Sequence, residues 1–133
     1  MTSKLDSLRS LHEAVKAGTL PEAVFHGSSS IRGHWAYLLP LDTEQRRKVY
    51  LAYNGSLDAA HALHRAVLPG WGWCSATDAH DEQWFSVSES SGDYETEEVY
   101  AATPARAWLL SILSALIAQE EAGVIQAPQK EEK

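Results

Sequence analysis

Cysteine is nearly missing from this chain: Cys74 is the single one in 133 residues. One thiol excludes an internal disulfide framework and fits a reducing compartment. Long apolar runs are missing too. The most apolar region, Trp108 to Ala118, contains two serines and is too short to span a bilayer. No N-terminal segment has the basic-then-apolar plan of a secretion signal. These absences predict a soluble, cytoplasmic protein with no membrane partner. Basic residues are scarce where acids are dense. Lys and Arg number 11 against 18 Asp and Glu, a net charge of −7. That balance excludes nonspecific nucleic-acid binding, which needs clustered Lys and Arg to displace counterions.

The acids are concentrated. Asp78, Asp81, Glu82, Glu89, Asp93, Glu95, Glu97 and Glu98 follow one another with no Lys or Arg between them, and the basic cluster is Arg46-Arg47-Lys48. A surface of one sign repels anions and attracts basic surfaces over about one Debye length, roughly 10 Å at moderate salt. The remaining composition, 44% apolar and 22% charged, is that of an ordinary globular chain. At this length we expect a single domain over residues 1–122, with 123–133 ("GVIQAPQKEEK") as a flexible tail.

Punctuation along the chain predicts the elements. Leu5, Leu8, Leu11 and Val15 put one apolar stripe on a helix over 3–17, with Ser3 and Asp6 at capping-box-like spacing and Gly18 past its end. Val24 to His26 and His34 to Leu39 ("HWAYLL") have strand-like composition, "LDTEQRRK" reads as a charged turn or one helical turn, and "VYLAY" at 49–53 alternates as a strand with Val49, Leu51 and Tyr53 on one face. Asn54-Gly55 is a turn. Ser56 then caps a helix whose inward stripe is Ala60, Leu63, His64 and Val67, stopped by Pro69-Gly70. "WGWCSA" and "QWFSVSE" form a hairpin across "TDAHDE". Thr103-Pro104 opens a last helix to about Glu121, apolar nearly all round and so covered on more than one side, with Gly123 ending it. Helices segregated from a small, mostly antiparallel sheet make an α+β sandwich.

Three of these stretches carry a resemblance: "AYNGSLDAA" (52–60), "LPGWGW" (68–73) and "ATPARAWL" (102–109). In this order and spacing they resemble the phage ABA sandwich domain, a family of small phage and prophage proteins of uncharacterised function. The similarity covers residues 49–122, the family-like core; residues 1–48 are an N-terminal extension. It implies a phage-associated origin and the sandwich fold, and transfers no site residue, because each motif is a cap, a stop or a strand.

Candidate chemistry is thin. His61 and His64 share one side of a helix with Asp58 a turn earlier, and zinc would need further ligands such as His80 or Asp81. The plainer reading has His64 packed at the core edge and His61 in solvent, with no metal and no cofactor. Cys74 reads as a buried structural thiol, and "HGSSS" as a loop that lacks the setting of a nucleophilic serine. Most of the five tryptophans belong in the core. Nothing assembles a nucleophile, a base and an orienter, so no catalytic residue is assigned. The leading expectation is a non-enzymatic phage-type binding module that docks on a basic surface of a host protein, such as a bacterial defence complex, through Asp78, Asp81, Glu82, Asp93, Glu95, Glu97 and Glu98. An alternative is a sponge for a signalling nucleotide using Arg32, Trp35, Tyr100 and Arg106; another is a phage morphogenesis accessory protein. The apolar faces of the first and last helices suggest a homodimer.

Overall fold

The structure, a computed structural model, describes residues 4–18, 43–89 and 94–131, the side chains of Lys4, Thr43, Arg46 and 123–131 excepted. The strand-like segments at 24–26 and 34–39 lie outside the described residues, as do Arg32, Trp35 and Asp93. Within them the chain runs α1 (Lys4–Ala17), α2 (Thr43–Tyr53), α3 (Leu57–Val67), β1 (Gly72–Thr77), β2 (Gln83–Ser88) and α4 (Pro104–Glu131). It is an α+β fold in which helices pack on a small antiparallel sheet.

α4 is the centre. β2 and all three other helices pack against it. Ala105, Ala107, Trp108, Leu109, Leu110, Ser111, Ile112, Leu113 and Ala115 are buried, so its all-round apolar surface is covered within one chain. Thr103 caps it: the hydroxyl accepts the Arg106 N–H at 3.1 Å, and Pro104 stands where a missing N–H costs nothing. The helix does not stop at Gly123; it continues to Glu131, a helix-interior glycine costing only about 1 kcal/mol against alanine. α1 lays Leu8, Leu11 and Val15 on α4, each fully buried side chain contributing about 1.5–3 kcal/mol. The surfaces expected to drive dimerisation are thus largely consumed inside the monomer.

Residues 49–53 are not a strand. They form the second half of α2, because Val49, Ala52 and Tyr53 also satisfy a helical spacing and are buried together, while Leu51 stands 40% exposed. The preceding residues favour that outcome, with Glu44 and Lys48 paired one turn apart at 3.3 Å. Gly55, at φ 108°, makes the turn that only glycine makes without strain, and the Ser56 hydroxyl then caps α3 by accepting the Ala59 N–H at 3.1 Å. Ala60, Leu63 and His64 are buried, as the stripe predicts.

The hairpin pairs Gly72 with Ser88 through Thr77 with Gln83. After β2 the chain folds back along it. Phe85 and Val99 exchange two backbone hydrogen bonds at 3.0 and 2.9 Å. Nearer the turn, Thr96 donates its N–H to the Val87 carbonyl at 2.9 Å and accepts the Val87 N–H on its hydroxyl at 2.9 Å. Between these pairs one residue of β2, Ser86, stands opposite two of the returning segment, Glu97 and Glu98, which makes a bulge. Cys74 and most of the tryptophans, expected in the interior, lie elsewhere. Cys74 is exposed, because it lies on the face of β1 turned away from α4. Of the four described tryptophans only Trp108 is buried; Trp71 and Trp84 are half-buried and Trp73 is 48% exposed, because the two-stranded sheet is too narrow to cover them.

Candidate functional site

The hairpin turn and the returning segment bring two groups of acids together. At the turn, Asp78 accepts the backbone N–H groups of His80 and Glu82 on one carboxylate oxygen, at 2.8 and 3.0 Å. Asp81 follows at φ 66°, a left-handed conformation that short polar side chains tolerate. Asp78 therefore builds the turn, and Asp81 and Glu82 project into solvent from it. On the returning segment Glu95, Glu97 and Glu98 are all exposed, with Glu95 accepting the Ser86 hydroxyl at 3.5 Å.

Tyr100 joins the two groups. Its hydroxyl titrates above the ordinary tyrosine value through partial desolvation and through the charges of Asp78, Glu98 and Glu82, with Asp78 also hydrogen-bonded to it. The ring is well exposed, so the carboxylates are the decisive neighbours. Asp78, Glu82 and Glu98 thus act on one tyrosine, which also lines one cleft with Asp81 and another with Glu95 and Glu97. Asp93 is outside the described residues.

The cleft lined by Glu95 and Glu97, of about 570 Å³, separates the returning segment from α1 and α4. Sequence reasoning missed its other walls. His12 and Lys16 come from α1, and Tyr94 and Ser114 complete it. Only the tertiary packing of α1 on α4 brings them near the acids, so no local signal could have found them. His12 Nε2 and Ser114 Oγ are 3.3 Å apart, and burial lowers the His12 pKa below 6.5, with Glu13 opposing and Lys16 reinforcing. The pair is a poor start for acyl transfer. Ser114 sits inside α4, where the backbone N–H groups that would face an oxyanion are committed to the helix.

The other candidates do structural work. Arg106 donates through Nε and Nη2 to the Tyr53 carbonyl, at 3.1 and 3.0 Å, and its guanidinium lies 4.1 Å from the centre of the Tyr53 ring. It satisfies the C-terminus of α2 with two of its five N–H donors. His64 is 2% exposed and both ring nitrogens are committed. An indole can only donate and a carbonyl can only accept, so Nδ1 takes the Trp108 Nε1–H at 3.3 Å and Nε2–H donates to the Trp71 carbonyl at 3.0 Å. His61 is exposed, its ring stacked 5.5 Å from that of Trp108. Among the described residues no three His, Cys, Asp or Glu side chains are grouped to hold a metal ion. No described helix is long and apolar enough to cross a membrane.

No protein-family model, curated protein or solved structure matches the chain. The resemblance to the phage ABA sandwich domain stands on its three motifs alone.

Proposed function

We propose that this protein is a non-enzymatic binding module whose acidic face docks on a basic surface of another protein. The observation that carries this reading is the convergence on Tyr100 of carboxylates from the hairpin turn and from the bulge. Such a face raises encounter rates with a basic partner and repels nucleic acid. Trp71, with its ring 6.0 Å from that of Tyr94, supplies an aromatic anchor at the rim. The resemblance narrows the proposal to a phage-type inhibitor of a host protein or bacterial defence complex, acting in the host cytoplasm. The nucleotide-sponge alternative finds no added support at Arg106, two of whose N–H groups go to Tyr53, or at Tyr100, which has carboxylates beside it; Arg32 and Trp35 lie outside the described residues.

The test is capture from bacterial lysate at low salt, with the wild type and a variant carrying Glu82→Gln, Glu95→Gln, Glu97→Gln and Glu98→Gln side by side. Asp78 is spared because it holds the turn. A basic protein retained by the wild type, released by salt and absent from the variant supports the reading. Equal capture by both baits sinks it.

A further inference from the structure

Among the described residues no strand pairs with the outer edge of β1. Phe85 and Val87 turn their N–H and C=O groups toward Val99 and Thr96, away from β1. Alternation along an antiparallel ladder then directs those of Trp84, Ser86 and Ser88 onto Ala76, Cys74 and Gly72. Trp73, Ser75 and Thr77 consequently aim their backbone groups outward, and among the described residues none of these meets a backbone partner. The strand "GWCSAT" also lacks the devices that protect an edge: it has no lysine, no proline and no charge. Trp73 is 48% exposed, its ring tilted against that of Trp108 with centres 4.6 Å apart; Leu57, one turn before its other ring neighbour His61, is 45% exposed.

We infer that β1 pairs with β1 of a second copy of this chain, antiparallel about a two-fold axis at Ser75. The geometry sets the register. Outward groups must meet outward groups, so Ser75 faces Ser75 and Trp73 faces Thr77, which satisfies every outward residue of both strands. An axis at Cys74 leaves Thr77 unmatched. Charge selects the occupant. A two-fold interface places each patch against itself, so it must tolerate its own charge. β1 is neutral in a chain of net charge −7, and antiparallel pairing sends the two acidic turns to opposite ends of the joined strands. A basic partner is drawn instead to the acidic face across β2. This inference does not rest on the proposed docking function: it is carried by the outer edge of β1, whereas the returning segment with its acids lies beyond β2.

The full chain is tested by sedimentation equilibrium together with cross-linking at its single cysteine. In this register Cys74 is diagonal to Cys74 of the second copy, roughly 7–8 Å away, beyond a disulfide but within a short bismaleimide. The expected result is a species of twice the 14.7 kDa chain mass, joined at Cys74 by the reagent. Ser75→Pro removes an outward N–H and leaves the ladder to β2 intact. It should weaken the dimer about tenfold to a hundredfold, two hydrogen bonds being lost per interface. Ala76→Lys, which places a charge beside the edge without touching the backbone, should also weaken it. Circular dichroism checks that both variants keep the fold. A monomer at all concentrations overturns the inference, including one whose Cys74 resists maleimide because the edge is covered within the chain. So does a dimer that neither variant weakens.

Discussion

Replacing His64 tests the packing at the junction of α3, α4 and the hairpin. The imidazole is 2% exposed and bridges Trp108 Nε1–H to the Trp71 carbonyl. In His64→Ala the buried indole loses this acceptor, costing about 1–3 kcal/mol, and the ring leaves a void costing about 2 kcal/mol more. The Trp71 carbonyl belongs to a half-buried residue and finds water, so it adds little. We expect a loss of about 3–5 kcal/mol in urea unfolding followed by tryptophan fluorescence, and about 1–2 kcal/mol for His64→Gln, which retains a donor and an acceptor. The same side chain makes stability depend on pH. Burial lowers the folded pKa of His64 below 6.5, the Trp71 carbonyl opposing and His61 reinforcing, so the folded state binds fewer protons than the unfolded chain. Its contribution is complete above pH 6.5 and is lost as pH falls through the folded value; His12 shifts in the same direction. Wild type should therefore weaken on acidification just below pH 6.5 more than His64→Gln does. A His64→Ala loss under about 1 kcal/mol, or a variant with undiminished pH dependence, would show that His64 does not hold this junction.

Two other substitutions separate structural from binding roles. Arg106→Ala removes a two-point bond to the Tyr53 carbonyl and a ring contact from a half-buried position, so thermal unfolding should show a loss of about 2 kcal/mol, with Arg106→Lys recovering part of it. Thr96→Val leaves the buried Val87 N–H without its acceptor at the bulge and should cost about 1–3 kcal/mol, with faster amide exchange confined to 85–99.

What was legible in the sequence was local. Ser56, Thr103-Pro104 and Pro69-Gly70 act within a few residues of themselves, and the helices they bound stand where the caps predict. The hairpin was equally clear from two alternating runs around a polar turn. The failures share a cause. Residues 49–53 fit both a strand and a helix period, and only burial of Val49, Ala52 and Tyr53 against neighbouring elements decides between them. Cys74 and most of the tryptophans are placed in the interior by residue type, yet a sheet this narrow leaves Cys74 and Trp73 in solvent. The acids were visible as a run, but the bulge at Thr96 and the meeting at Tyr100 depend on pairing to β2, which no short window encodes. Arg106 looked like a free cation because its acceptor is a backbone carbonyl distant in sequence.

We propose that the carboxylates on either side of Tyr100 act as one docking face. The most direct test is the association rate of a captured basic partner across a range of ionic strength, for wild type and for the variant with Glu82, Glu95, Glu97 and Glu98 changed to glutamine. The wild-type rate should fall steeply with salt, and the variant should start slower and hardly respond. Identical rates and identical salt slopes for the two proteins would contradict this proposal.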